Sequence, residues 1–305
     1  MKVATIQRIV ALSAVTVSLA WGLAAVAADR LWFGPAGGLL LLAAYAAVIG
    51  LEFLWLARRH GEPTRPSVGR LVRAWLIEVG HGPRVFGWRQ PFRQRTHVDR
   101  LDIPDTLTRG VVLVHGFFCN RGVWNGWLRR LADAGVPYVA VDLEPPFSSI
   151  ATHADTIDDA VRRVAAASAG RAPVIVAHSM GGLAVRAWLA GAPQQRTAQV
   201  HRVVTIGTPH RGTWLARFAR TVDGREMRIG SRFLEELTAR ESAVERQRFT
   251  CFWSDCDNIV FPSANATLEG ADNRAVAGWA HVHLVEHPAI FAAVLSAVAE
   301  VDQMS

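Results

Sequence analysis

The stretch that decides the fold is Val174-Ile-Val-Ala-His-Ser-Met-Gly-Gly182, near the middle of the 305-residue chain. Its apolar residues are typical of a buried strand, a small-x-Ser-x-Gly turn follows, and a helical pattern begins directly after the Ser. In such a turn a strained backbone lifts the Ser hydroxyl above the sheet, beside the start of a helix. Ala177 and Gly181 are the small residues needed where strand and helix pass close together. A Ser at such a junction is often only a helix cap, but the adjoining His178 and the paired Gly favour a nucleophile, Ser179.

Strand-like apolar runs alternate with helical patterns from about residue 97 onward, which predicts a mostly parallel central sheet covered by helices. The predicted strands are Gly110–His115, Val136–Asp142, Pro173–His178, Arg202–Ile206 and Phe249–Trp253. The predicted helices are Trp124–Ala134, Thr152–Ala169 and Met180–Ala190. The long interval between the last two strands, about 208–248, has room for a small helical cap.

A second motif, Val111-Val-Leu-Val-His-Gly-Phe-Phe118, ends a predicted strand in a His-Gly pair. The loop after such a strand can point a backbone N–H at a developing oxyanion. We predict that the N–H groups of Phe117 and Met180 form an oxyanion hole. His115 and Gly116 are expected to support this loop rather than to move protons.

The sequence resembles bacterial triacylglycerol lipases and related membrane-linked α/β hydrolases. The resemblance is carried by Val111–Phe118 with Trp124, by Val141-Asp-Leu-Glu-Pro-Pro146 and Ser149-Ile150, and by Gly207-Thr-Pro-His-Arg-Gly-Thr213 and Arg225–Leu237. The resemblance covers about residues 97–300. It implies an α/β-hydrolase fold and the cleavage of carboxylic (lipid or acyl) esters. Two departures, Ala177 in place of the usual Gly and an apolar N-terminal segment, argue against extracellular fat digestion.

The triad of this fold runs in the order Ser, acid, His. The resemblance places the acid in Ser254-Asp-Cys-Asp-Asn-Ile-Val-Phe-Pro262, where Asp257 fits better than Asp255. A carboxylate there would fix the imidazole tautomer and stabilise the imidazolium, although either Asp could instead cap a turn.

The base is expected in Gly278-Trp-Ala-His-Val-His-Leu-Val-Glu-His287, which resembles a Gly-x-x-His segment and selects His281. His283 is the alternative, and His287 is expected to cap the last helix. His201 and His210 come too early in the chain for the triad order.

Two other functions fit the same sequence. One is acyl transfer to an alcohol by the same triad, and the other is a non-catalytic, hydrolase-like membrane protein. The sequence contains no metal-ligand cluster, Gly-rich phosphate loop or Cys-x-x-Cys, so we expect no required cofactor or metal. A calcium site, known among related lipases, stays open.

Cys251 and Cys256 are interpreted as small buried thiols, with a disulfide as the alternative in an oxidising compartment.

The first 57 residues contain only five charged side chains, and two apolar runs within them, about 9–28 and 37–57, are each long enough to cross a bilayer. They predict a transmembrane helical hairpin within residues 1–60, with a turn-rich loop between its arms. A cleaved signal peptide ending near Ala27 is the competing interpretation. Residues 61–96 are predicted to be an Arg-rich connector, and residues 97–305 the catalytic domain.

Ten Arg and three acidic residues lie between residues 58 and 100, a surplus equal to the whole net charge of +7. Anionic lipid headgroups attract such a segment, and no nucleic-acid motif accompanies it. The positive-inside rule then predicts a bacterial-type inner-membrane protein whose catalytic domain is cytoplasmic. A periplasmic domain requires that only one segment spans. Leu71, Trp75 and Val79 recur at helical spacing, which fits a helix on the bilayer surface or one packed on the hydrolase body.

Overall fold

The computed structural model describes residues 1–58, 65–103 and 108–300. The start of the predicted connector, residues 61–64, and the last five residues of the predicted catalytic domain lie outside these ranges. Six parallel strands form one sheet in the order β2-β1-β3-β4-β5-β6. They are β1 (Val111–Val114), β2 (Tyr138–Ala140), β3 (Val174–His178), β4 (Arg202–Ile206), β5 (Phe249–Trp253) and β6 (Asp272–Ala275).

Helices pack on both faces of this sheet, and a helical hairpin precedes the sheet in the chain. The helices are α1 (Val3–Ala27), α2 (Ala36–Arg58), α3 (Val68–Gly82), α4 (Gln90–Phe92), α5 (Asn125–Asp133), α6 (Ala154–Ala167), α7 (Met180–Gly191), α8 (Pro193–Ala198), α9 (Val222–Glu226), α10 (Arg232–Arg240), α11 (Ala243–Gln247) and α12 (Pro288–Ala299). A π-helical segment, Pro83–Arg89, joins α3 to α4, and short 3-10 turns occur at Leu31–Phe33, Arg121–Trp124, Ile150–His153, Trp214–Phe218, Ser263–Ala266 and His283–Glu286. This architecture confirms the predicted α/β-hydrolase fold.

The central strands are buried on both faces, because helices cover each side of a parallel sheet. β1 and β3 contain only buried residues, which explains why their sequences are continuous apolar runs. One core cluster contains α6 and α7, and the other contains α5 and α12. All five predicted strands are present, whereas β6 was not predicted because its four residues are exposed and mostly polar.

The two N-terminal helices, α1 and the Leu31–Arg58 segment that ends in α2, are long and apolar enough to cross a membrane. Toward the loop that joins them, these helices carry exposed apolar side chains, for example Leu19, Leu23 and Leu42. Their outer ends instead contact the hydrolase body. On α1, Val3 donates its N–H to Glu144 (3.0 Å) and Gln7 donates to the carbonyl of Phe118 (2.8 Å). The start of the hairpin is therefore attached to the body.

The end of α2 is part of the hydrophobic interior of the body. Phe53 and Leu56 are buried in a cluster with Cys256 and Phe261 from the loop after β5. Helix α3 packs along α2, and Trp75 donates its indole N–H to the carbonyl of Ala46 (3.0 Å). Leu71 and Ala74 of α3 are also buried with Phe261 and Ala280 of the hydrolase body, so of the two interpretations of the α3 pattern the structure supports packing on the body.

Candidate active site

The Ser179 turn has the backbone geometry predicted for it. Ser179 follows β3 directly and precedes the first residue of α7, with a left-handed φ of 54°. A non-Gly residue in this region is strained by about 1–3 kcal/mol, and such strain clusters at functional sites. Ser179 donates its backbone N–H to the carbonyl of Ile206 on β4 (2.9 Å), which holds the turn against the sheet.

Two glycines allow the oxyanion loop and α7 to approach Ser179. A Cβ added at Gly116 would lie 2.7 Å from Ser179 Cβ, so the loop after β1 touches the nucleophile turn. A Cβ added at Gly181 would lie 2.6 Å from the carbonyl oxygen of Val114. Both positions therefore exclude any side chain, in agreement with the small residues predicted here.

The two predicted oxyanion donors belong to two different segments near Ser179. Met180 is the first residue of α7, and the first N–H groups of a helix have no intrahelical acceptor. Phe117 follows Gly116 in the loop after β1, and it lines two cavities together with Ser179. The backbone arrangement is thus suited to two N–H donors near one oxygen.

His115 links the oxyanion loop to the chain after β2. Its Nε2 accepts the backbone N–H of Leu143 (2.9 Å), and its Nδ1 lies 2.9 Å from the carbonyl of Gly116. Burial lowers the pKa of this imidazole, which keeps it neutral so that Nε2 can accept. This location suits the supporting role predicted for it.

The acidic loop after β5 brings Asp257 to His281. The Nδ1 of His281 lies 3.0 and 2.9 Å from the two carboxylate oxygens of Asp257. The Oδ1 atom of Asp257 also accepts the backbone N–H groups of Ile259 (2.9 Å) and Val260 (2.8 Å). These contacts fix the carboxylate, and the His281 ring with it.

Asp255 is turned away from this pair. It accepts from the Arg70 guanidinium (2.6 Å) and from the backbone N–H of Gly278 (2.7 Å). It thereby ties α3 to the segment before His281 without contacting the imidazole. Of the two acids left open by the sequence, the structure brings Asp257 to His281.

The four other histidines that the sequence analysis considered make their contacts elsewhere. The His283 ring stacks on Trp279 with centroids 4.0 Å apart, and His287 caps α12 by accepting the N–H of Ala289 (3.1 Å). His201 pairs with Glu300 (2.8 Å), and buried His210 contacts Thr205 (3.1 Å).

His178 lies against His281, with ring centroids 4.7 Å apart. Its Nε2 is 3.2 Å from the carbonyl of His281, so it can donate to that oxygen. Burial lowers the pKa of His178 well below its usual value. A neutral His178 can thus support the His281 backbone without adding a positive charge.

The segment around His281 is held in place by three residues that were not predicted as site residues: Asn258, Glu52 and Glu78. Asn258 accepts the backbone N–H of His281 (3.1 Å) and donates to Glu52 of α2 (2.7 Å). Glu78 of α3 accepts the backbone N–H groups of Val282 (2.9 Å) and His283 (3.1 Å). Glu52, a charged residue within an apolar span, is the sequence signal that could have indicated a functional partner, although no such prediction was made.

The charges around His281 shift its pKa. Burial alone would lower this pKa, but the charge and hydrogen bond of Asp257, followed by the charges of Glu78 and Glu52, raise it above its ordinary value. Burial raises the pKa of Glu78 itself to about 7, so Glu78 carries its negative charge mainly above neutral pH, and Asp257 is the main source of the stabilising charge. The imidazolium form of His281 is therefore stabilised, as a general base requires when it takes a proton.

All three cysteines are buried and free, in agreement with the thiol interpretation of Cys251 and Cys256. Among the residues that the structure describes, no group of three or more His, Cys, Asp or Glu side chains is arranged to hold a metal ion.

The sequence matches the family model described as the alpha/beta hydrolase family over residues 111–294. The chain belongs to this family. A search of curated protein sequences found no significant match.

Several solved lipase structures share the fold. The mature form of Bacillus licheniformis lipase BlEst2 matches with a TM-score of 0.56 and 18% identity, over 66% of this chain and 96% of that one. Its propeptide form gives a TM-score of 0.56 and 19% identity, over 67% and 53% of the two chains. Aspergillus fumigatus lipase B gives a TM-score of 0.53 and 21% identity, over 61% and 51%. At these identities the likeness concerns the fold.

Proposed function

We propose that this protein is a membrane-anchored serine hydrolase that cleaves carboxylic esters through an acyl-enzyme. The observation that carries the proposal is the convergence of the strained Ser179 turn and the Asp257–His281 pair, because Ser179 and His281 line the same cavity. Ser179 is the nucleophile, His281 the general base, and Asp257 the acid that orients it. The expected substrates are lipid or acyl esters, as in the lipases that share its fold.

The chemistry follows from this arrangement. His281 takes the Ser179 proton while the hydroxyl oxygen attacks the ester carbonyl, and Asp257 stabilises the resulting imidazolium. The N–H groups of Phe117 and Met180 stabilise the oxyanion. His281 then protonates the leaving alcohol, and water repeats the sequence to release the acid.

A fluorophosphonate probe and a p-nitrophenyl ester series test this function on the purified full-length protein. We expect covalent labelling at Ser179 and release of the free carboxylic acid. Lack of both labelling and turnover would show a non-catalytic protein. Transfer of the acyl group to an added alcohol in preference to water would show an acyltransferase.

The pH dependence of ester hydrolysis tests the assignment of the base. His281 must be neutral to accept the Ser179 proton, so a raised pKa means that activity is lost as the pH falls through that raised value. We expect the acidic limb of kcat/KM to lie above pH 6.5, the ordinary value for His. Glu78→Gln removes one of the charges that raise this pKa and should shift the limb to lower pH.

Glu269→Gln is the matched control, because Glu269 is exposed and makes none of the contacts around His281. It should leave the profile unchanged. An acidic limb below pH 6.5 in the unmodified protein would contradict the assignment.

We also propose that α1 and α2 anchor the protein in a bacterial-type inner membrane with the hydrolase body in the cytoplasm. Lys2 and Arg8 flank one span and the Arg-rich segment that starts at Arg58 flanks the other, while Arg30 alone lies between the spans. Positive residues favour the cytoplasmic side. A reporter enzyme that is active only in the periplasm, fused to the C-terminus, should give no signal, and a reporter placed in the loop at Arg30 should give a strong one. The reverse pattern would place the body in the periplasm.

A further inference from the structure

Two cavities meet at Ser179, and both are lined by Phe117, Ser179 and Ile259. The cap-side cavity has a volume of about 150 Å³ and is lined by residues such as Leu215 and Met227. The second cavity, of about 300 Å³, also contains His281. An ester whose carbonyl lies at Ser179 thus has space for one of its two substituents in each cavity.

One wall of the second cavity comes from the hairpin, because Tyr45 and Ile49 of α2 line it. Gly82 at the end of α3 and Phe86 in the π-helical segment also line this cavity. Tyr45 and Ile49 are four residues apart and therefore share one face of α2. The indole of Trp75 bonded to the carbonyl of Ala46 (3.0 Å) holds this part of α2 in place.

The opposite face of the same helical turns is the apolar surface expected to meet lipid. Val48 is 58% exposed and Leu51 is 51% exposed. Along the sequence of α2, Val48 and Leu51 lie within one turn of the cavity-lining residue Ile49, but their side chains are exposed. Since a helix is about 10–12 Å across, only the width of α2 separates the outer apolar surface from the second cavity.

Exposed aromatic residues surround the end of the hairpin that meets the body. Trp88 and Phe92 follow α3, and Phe218 packs on Trp55 of α2 with centroids 5.8 Å apart. The Arg8 guanidinium lies over the Phe92 ring, 5.7 Å from its centroid. Aromatic and basic side chains are typical of the membrane–water interface, which places the Ser179 cavities at that level.

We propose that the substrate is an ester lipid of the same bilayer, which reaches Ser179 sideways along α2. One apolar chain occupies the cap-side cavity, and the rest of the lipid lies against Tyr45 and Ile49. The hairpin is then a substrate-binding wall as well as an anchor. This inference rests on the proposed function, since it assigns a substrate class to the same Ser179 site.

The test uses the full-length protein in vesicles of phosphatidylethanolamine and phosphatidylglycerol that contain dioleoylglycerol, with fatty-acid release measured by mass spectrometry. Ile49→Trp fills the proposed lipid wall and should reduce fatty-acid release about tenfold or more, the effect of a misfit in an apolar pocket. Vinyl acetate, whose small groups need neither cavity, should be hydrolysed at an unchanged rate. Val48→Trp adds the same bulk on the outer face of α2 and should change neither reaction.

Fluorophosphonate labelling of Ser179 shows whether the Ile49→Trp site is intact. If labelling is lost, Ile49→Ala and Val48→Ala replace the Trp pair, and only Ile49→Ala should reduce fatty-acid release while vinyl acetate turnover stays constant. Equal behaviour of the residue 49 and residue 48 variants would overturn the inference. So would vinyl acetate hydrolysis by the unmodified protein without any fatty-acid release. Failure of both labelling and vinyl acetate hydrolysis in the unmodified protein would instead overturn the proposed function.

Discussion

Ser179→Ala is expected to reduce kcat for ester hydrolysis by about 10⁴- to 10⁶-fold, because loss of the nucleophile removes the acyl-enzyme route. The fold should persist. Ala is smaller than Ser, and Ala lacks only a hydroxyl at a position whose backbone is held by Ile206 on β4. Steady-state kinetics with a p-nitrophenyl ester measures the loss, and circular dichroism checks the fold.

Ser168→Ala provides the matched control for this substitution. Ser168 is fully buried after α6, and its hydroxyl has no hydrogen-bond partner among the residues that the structure describes. The variant should retain full activity and full labelling by a fluorophosphonate. Turnover by Ser179→Ala within about tenfold of the unmodified protein would exclude Ser179 as nucleophile, given the losses typical of triad members.

The part of the fold that could be predicted is the part whose sequence pattern follows from burial. β1, β3 and β4 are apolar runs because helices cover both sheet faces. The strand–Ser–helix turn could be predicted from its small residues. β6 could not be predicted in this way. Its residues are exposed, and only pairing with β5 at the sheet edge makes the segment a strand.

The contribution of the hairpin to the site could not be predicted, because it depends on contacts between residues far apart in sequence. Glu52 interrupts an apolar run, which indicates a partner but does not identify Asn258, 206 positions later. Tyr45 and Ile49 look like ordinary residues of a membrane span. Their location beside the Ser179 cavity follows from the packing of α2 on the loop after β5.

The choice between Asp255 and Asp257 also depends on a contact between residues far apart in sequence. Both precede the same apolar residues, and spacing gives each a reasonable position after β5. What separates them is Arg70, which lies on α3 and pairs with Asp255 (2.6 Å), while two backbone N–H groups orient Asp257. The Asp257 contacts are local turn contacts that the sequence allows for either Asp, but the pairing of Asp255 with Arg70, 185 positions earlier, could not be derived from the local sequence.

Asp257→Asn is therefore expected to cause the second large loss, a fall in kcat of about 10⁴-fold. The amide can present its NH₂ to Nδ1 of His281, which favours the tautomer whose Nε2 carries the proton and cannot accept one from Ser179. The substitution also removes the negative charge that stabilises the His281 imidazolium. Kinetics on a p-nitrophenyl ester, with fluorophosphonate labelling rates, measures both consequences.

Asp255→Asn is the matched control, since it changes the same functional group two residues away. Its oxygen can still accept the N–H of Gly278, and the Arg70 guanidinium, which is half-exposed, stays in contact with water when it loses the charge of Asp255. Activity should therefore stay within about fivefold of the unmodified protein. If Asp257 and His281 act with Ser179 as one unit, Asp257→Asn combined with His281→Ala should lose little more than His281→Ala alone, because members of such a unit are not additive. A severe loss in Asp255→Asn beside an active Asp257→Asn would transfer the acid role to Asp255 and require the loop after β5 to rearrange during catalysis.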